Sequence, residues 1–337
     1  MDTRATKGRG LKPDSLQGQA PFWIDLDDLP QGPGPYTISF GFSLEALCAS
    51  IEKAGVINPI LVTRNETGRF DIVSGYRRIL ALRALRETKV LCKDVTAVFP
   101  SFFERFLTNF YDNLSLRTFN DIEKALVLHK LQRYLSGKEI VAEFMPLLSL
   151  PSHEDTLKFY LELITLEEEL QLAIAKKEIS VKAAKALMEF DLSSQKILFQ
   201  WVNALRFNLN QQVKLFEYAQ DIGRREGRTI TQVLSEESFL LILNDARLNT
   251  PQKAKKVLET LRVRRYPRLA HAQQVIGRTL AAIPLPRGAA IHYDPSLEDP
   301  NYHLEVDFAD GKELRNTLEG LLARDELESI PAMWEGA

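Results

Sequence analysis

The hydrophobic period of this chain changes near Leu114, and that change limits the folds open to it. Before Leu114, short alternating runs are interleaved with helical ones. After it, apolar residues recur at the 3.6-residue helical spacing almost to the carboxy-terminal end. The early part reads as a strand over residues 23–26, a loop forced by the Pro30 to Pro35 stretch, and a half-buried strand over 36–40. Phe42-Ser43 then opens a helix, with Ser43 as its cap, Phe42 and Leu47 as a hydrophobic staple, and Gly55 as its end. Strands are expected over 57–62, 70–73 and 90–98, with helices after Gly75 and over 102–114. Strands and helices interspersed in this way make a compact α+β domain.

Beyond Leu114, Asn120-Asp121-Ile122-Glu123 is a capping box. Helical patterns follow over 121–136, 138–148, 154–164, 167–177, 181–190, 194–207, 210–226, 229–243, 251–265 and 267–283, until Pro284 and Pro286 break the series. The last segment alternates over 289–293 and 303–308 and then turns helical over 312–323. A ββα unit of about 40 residues can scarcely bury its own core, so self-association is expected of it. The expected organisation is a disordered basic tail over 1–20, the α+β domain over 21–116, helical segments over 117–192 and 193–286, and the ββα unit over 287–325.

Composition narrows the function. No stretch approaches the ~20 apolar residues that a membrane helix requires, and the amino-terminal residues have no apolar core, so neither a span nor a secretory signal is expected. Cys48 and Cys92 form neither a disulfide framework nor a close metal-ligand pair, which favours a reduced, cytoplasmic setting. The five histidines show no zinc spacing, and no Walker-type loop is present. With 43 basic residues against 45 acidic, any contact with nucleic acid must come from local patches.

The segment richest in chemistry is Phe70-Asp71-Ile72-Val73-Ser74-Gly75-Tyr76-Arg77-Arg78. A strand ends, a glycine turns, and two arginines fall in the first turn of a helix, where the dipole is already positive and backbone N–H groups are unpaired. Cations placed there are stabilised by a bound anion; the plainer alternative is an arginine bridging to a nearby acid. Tyr111-Asp112-Asn113-Leu114 stands at the end of the next helix, where the Asp-Asn pair suits a magnesium ion or a sugar hydroxyl and Asn113 also suits a helix cap.

Taken in order, residues 42–51, Gly55-Val56-Ile57-Asn58-Pro59-Ile60-Leu61-Val62, Gly75-Tyr76-Arg77-Arg78, and Asp112-Asn113 followed by residues 120–125 resemble the ParB partition proteins. The resemblance implies a ParB/sulfiredoxin-like amino-terminal domain that binds CTP with magnesium, a helix-turn-helix-bearing middle for a DNA site, and a ββα unit that dimerises. It also implies a DNA-associated clamp in chromosome or plasmid partition, acting in the cytoplasm with a separate partition ATPase. Carried over, it gives nucleotide contacts to Gly75, Tyr76, Arg77, Arg78, Asn113 and Asn58, and a magnesium contact to Asp112. Several positions depart from the family pattern. The glutamate of the family's GERR box is Tyr76, that of its ENxQR box is the shorter Asp112, its arginine falls at Leu116 with Arg117 displaced by one, and its QP glutamine is Asn58. Hydrolysis needs a group to orient water in line with the phosphorus, so at most a weak CTPase is expected. Sulfiredoxin activity is excluded, because Tyr76 stands where that enzyme needs its thiolate.

The helix-turn-helix region is acidic. Glu139, Glu143, Glu154, Asp155, Glu162, Glu167, Glu168 and Glu169 face Lys158 alone over residues 139–170, a net charge of −7 that a duplex repels. Positive charge collects later, at Arg224, Arg225, Lys255, Lys256, Arg264 and Arg265, with Arg228, Lys253, Arg262 and Arg268 nearby. These residues either track a DNA backbone or form a solvated face. The alternative function is a scaffold that keeps the fold without nucleotide or operator and uses its acidic helices on a protein partner.

Overall fold

The computed structural model describes residues 20–332, so the basic tail expected over 1–20 lies, except for Ala20, outside the described residues. The chain divides into two compact units, Met1–Lys185 and Ala186–Ala337.

The first unit is built on a four-stranded sheet. Its strands are β1 (Phe22–Asp25), β2 (Ile60–Arg64), β3 (Phe70–Ser74) and β4 (Lys89–Asp94), in the order β1-β4-β2-β3. β4 runs parallel to β2, and the outer pairs are antiparallel. Ile60 and Cys92 share one register position, and a bulge interrupts the pairing of β2 with β3 between Leu61 and Val62. Helices α1 (Glu45–Ala54) and α2 (Tyr76–Ala84) close the core: Ile51, Ile79, Ala81 and Leu82 pack with Ile60, Val62, Ile72, Val90 and Cys92. Burial pushes the Cys92 thiol up to about 12, the behaviour of an inert core cysteine.

α3 (Phe102–Leu116) begins at a Ser101–Glu104 capping box, and α4 (Asp121–Leu131) at the expected Asn120–Glu123 box. A short α5 (Gly137–Glu139) runs into a π-helical stretch, Ile140–Phe144, before α6 (Glu154–Leu163) and α7 (Glu168–Ala175). α8 (Val181–Leu187) follows.

Two local expectations are corrected. Residues 36–40 form no strand: Tyr36, Thr37 and Ile38 are buried in succession, because the segment is pinned from both sides by α4 rather than paired in the sheet. Ser43 caps nothing. α1 starts after Leu44 without a side-chain cap, and Phe42 lies under the Arg77 guanidinium, 4.3 Å from its ring centroid, instead of stapling the helix.

The second unit is helical up to Ile283: α9 (Leu192–Leu205), α10 (Leu209–Glu226), α11 (Ile230–Leu234), α12 (Glu237–Asn244), α13 (Thr250–Arg265) and α14 (Pro267–Ala282). The single helix expected over 229–243 is two helices, because Glu236 is extended and its carboxylate is held by Arg228 and Arg264. Gly227 ends α10 in the left-handed conformation, and Asn208 and Asn249 open α10 and α13 with capping boxes to Gln211 and Gln252. The unit finishes with the antiparallel pair β5 (Ala289–Tyr293) and β6 (Tyr302–Val306) and the helix α15 (Gly311–Leu322), as the alternation implied.

Phe239 is fully buried and meets Trp201 edge-on at 5.9 Å. Its replacement by alanine is expected to destabilise the second unit by about 3–5 kcal/mol, read as a lower urea midpoint with unchanged slope.

Candidate functional site

β3 delivers Ser74 to the sheet edge, and Gly75 turns the chain at φ +106°. A Cβ there would come 2.6 Å from Ile60 Cδ1 and 3.2 Å from the Arg78 guanidinium, so only glycine fits. Having no side chain, Gly75 cannot cap α2, and the first turn of α2 carries no acid. Its free N–H groups and two arginines therefore stand together, as the spacing predicted.

The structure also supplies partners for those arginines. Arg77 donates through Nε to Ser39 Oγ at 3.1 Å and through Nη2 to Glu123 Oε1. Arg117 donates to the other oxygen of the same carboxylate, Glu123 Oε2, at 2.6 Å, and to Asn113 Oδ1 at 2.9 Å. The backbone N–H groups of Phe40 and Asn120 complete the shell of Glu123 at 3.2 and 3.1 Å. The Glu123 side chain is 1% exposed, so this is a buried carboxylate with four donors.

Arg78 takes a different set. Its Nη1 donates to the Asn58 carbonyl at 2.5 Å, and its Nη2 lies 3.8 Å from Asp112 Oδ2, which also accepts from the Ser74 hydroxyl. Burial lowers the pKa of Arg77 and of Arg78, against the opposing pull of Glu123 and Asp112 respectively. Asn109 reaches the Val73 carbonyl, and Asn113 donates back to the Asn109 carbonyl at 2.9 Å, tying α3 to the end of β3.

Six of the seven residues singled out in the first unit thus meet here: Gly75, Arg77, Arg78, Asp112, Asn113 and, through its carbonyl, Asn58. Tyr76 differs, because its ring packs against the sheet core. Asn113 is not the helix cap; α3 continues to Leu116. Three residues that sequence reasoning did not place in the site belong to it: Ser39, Arg117 and Glu123. Arg117 read only as a displaced arginine, and Glu123 only as half of a capping box. Three guanidiniums against two carboxylates leave the site with a net charge of +1, which suits an anion.

Residues 32–98 match the family model described as "ParB N-terminal domain". The amino-terminal domain is ParB-like. Over 165 residues the chain is 32% identical to the nucleoid occlusion protein of Bacillus licheniformis, a match that covers 48% of this chain and 55% of that protein. It is 29% identical over 202 residues to the nucleoid occlusion protein of Bacillus pumilus, covering 58% of this chain and 66% of that one. The first match thus spans little more than half of its relative's length. Among solved structures, Caulobacter crescentus ParB complexed with CTP-gamma-S aligns at 20% identity and a TM-score of 0.25, covering 52% of this chain and 97% of that one. A Pnob8-like ParB-N domain aligns at 13% identity and a TM-score of 0.33, covering 72% and 97%.

Outside the ParB-like domain, the basic residues singled out in the second unit divide into two groups. Arg264 is held by Glu226 and Glu236, with hydrogen bonds that keep both carboxyls below their ordinary pKa. Arg265 pairs with Asp221 at 2.5 Å between the rings of Tyr218 and Tyr266, and Arg225 donates to the carbonyls of Arg264 and Arg265. These three fasten α10 to α13. Arg224, Lys255 and Lys256 are exposed.

In the first unit, Glu123→Ala is expected to cost about 3 kcal/mol. That is the low end for breaking a buried ion pair, because Arg77 and Arg117 keep partial exposure and Ser39 and Asn113 as acceptors. Equilibrium denaturation checks it, with Glu123→Gln expected to lose less.

Proposed function

We propose that this protein is a ParB-like, DNA-associated homodimer whose turn at residues 75–78 binds the phosphates of CTP with magnesium. The carrying observation is the convergence of Arg77 and Arg78, inside the stretch that matches the ParB N-terminal domain, with Asn113 and Arg117, beyond it, at the uncapped start of α2. In this reading Arg78, held by the Asn58 and Pro59 carbonyls through one nitrogen and by a distant carboxylate, is the arginine most easily turned to a phosphate. Arg77 contributes through the positive field that it shares with Arg117. Asp112 would offer magnesium one carboxylate, with phosphates and water supplying the rest, while the Asn113 oxygen is already held by Arg117. When bound, the ion would neutralise phosphate charge and so lower the demand on the arginines. Tyr76, half-buried against the sheet core, brings no carboxylate to act on a water, which supports weak hydrolysis.

The remaining parts of the reading have separate supports. Leu304, Phe308, Leu318 and Leu322 are exposed on the ββα unit, Leu322 at 86%, and a second copy of the unit would cover them. α5 and α6 stand where the family carries its helix-turn-helix, but the acidic surface there disfavours operator reading, so DNA contact falls to the basic residues of the second unit. Relatives named nucleoid occlusion proteins support a place on the nucleoid, and among the described residues no helix is long and apolar enough to cross a membrane. The segment boundaries at residues 116, 192 and 286 remain part of this reading.

One observation favours the scaffold reading instead: the anion that satisfies Arg77 and Arg117 is already present as Glu123. Calorimetric titration of CTP with magnesium into the wild type and Arg78→Ala separates the two. Arg78 is the better probe, since removing Arg77 strips a partner from a buried carboxylate. Micromolar binding lost at least tenfold in a folded Arg78→Ala supports the clamp; no heat with folded wild type overturns it.

A further inference from the structure

The basic residues of the second unit differ in what they are free to do. Along α13, Arg262 is paired with Glu259 and Gln273, Arg264 with two glutamates, and Arg265 with Asp221, while Lys253 donates to the Leu243 carbonyl. A phosphate would have to displace those partners, and the exposed Lys255 and Lys256 of the same helix stand in the field of Glu259 and Asp245. α14 is built otherwise. Its sixteen residues contain no acid at all. Ala272 and Ile276 are buried against Leu297, with Leu269, Leu280, Tyr293 and Tyr302 around them, and this fixes which side faces inward.

The opposite side carries Arg268, His271, Gln274 and Arg278 at spacings of three, three and four residues, all exposed. That spacing keeps them within roughly 120° of arc and about 15 Å of helix. Neither arginine forms an ion pair among the described residues. Gly277 lies beside Arg278, and a Cβ there would meet nothing within 4 Å, so another chain can approach the helix closely.

We infer that this stripe on α14 is the surface that contacts the sugar-phosphate backbone of duplex DNA, without reading its sequence. The inference rests on the DNA-association reading above and moves its main contacts from Arg225, Arg264 and Arg265 to Arg268, His271, Gln274 and Arg278. Three observations select this partner. All four side chains can donate hydrogen bonds to phosphate oxygens, and two are permanent cations. The face has no acid to oppose a polyanion. The apolar residues on it are Pro267 and the half-buried Val275, with no exposed aromatic or long aliphatic side chain of the kind that anchors a protein partner. A chain of net charge −2 can bind DNA only through such a local surface.

The test is fluorescence anisotropy of a labelled 40-base-pair duplex of arbitrary sequence, titrated with the full-length protein between 50 and 200 mM KCl. The wild type is compared with Arg268→Ala/Arg278→Ala and with Lys255→Ala/Lys256→Ala. Each lost phosphate contact lowers the slope of log affinity against log salt by about 0.9. The α14 variant should therefore bind more weakly and lose about 1.8 from the slope, with thermal unfolding unchanged because both side chains are exposed. An unchanged slope, or a loss confined to the lysine variant, overturns the inference and leaves DNA association standing. A wild type that does not bind the duplex overturns both. A salt-dependent self-association that the α14 variant abolishes, without effect on DNA, also overturns it, and assigns the stripe to the acidic helices of a second copy.

Discussion

Glu123 has almost no contact with water, and moving a carboxylate out of water costs several kcal/mol unless its oxygens are fully paired. Here they are. Two guanidiniums and two backbone N–H groups converge on it, from α2, from the α3–α4 junction and from the segment before α1. One side chain thus fixes three pieces of chain that the sheet does not pair. The extended stretch at residues 36–40 follows this pull rather than the sheet's hydrogen bonding, and Phe42 is drawn under Arg77 by the same arrangement. The start of α2, where the chemistry is expected, is therefore held as much by α4 as by the glycine turn.

That arrangement sets the character of the site. Arg77 and Arg117 are positioned and partly neutralised together, while Arg78 keeps a looser set of partners. The arrangement is preorganised, which would lower the ordering cost of binding an anion, but its excess charge is only one unit. A similar economy appears in the second unit, where Arg264 satisfies Glu226 and Glu236 and so joins three helices. In both units many arginines that look available in the sequence are structural; even exposed Arg64, Arg225 and Arg247 pair with acids, while Arg268 and Arg278 are exposed without an ion pair among the described residues.

Much of the fold was legible because period is a local property. The alternating runs that become β2, β3 and β4 and the 3.6-residue patterns from Asn120 to Ala282 carry their own signatures, as do the capping box at Asn120 and the glycine at position 75. What was not legible depends on pairing at a distance. Glu123 lies 46 positions from Arg77, and nothing local marks it as that arginine's partner. The break at Glu236 likewise follows from Arg264, 28 positions away. Ser43 looked like a cap because its neighbours suit one, yet the chain enters α1 from a direction that Ser39 and Phe40 impose.

In the reading proposed above, the start of α2 and the α3–α4 junction form one anion-responsive site. Hydrogen–deuterium exchange, with and without CTP and magnesium, measures this most directly. Slower exchange is expected for the amides of residues 75–79 together with those of 112–123, with little change in α9 to α13. Unchanged exchange in both segments at saturating nucleotide, or protection confined to the second unit, would contradict it.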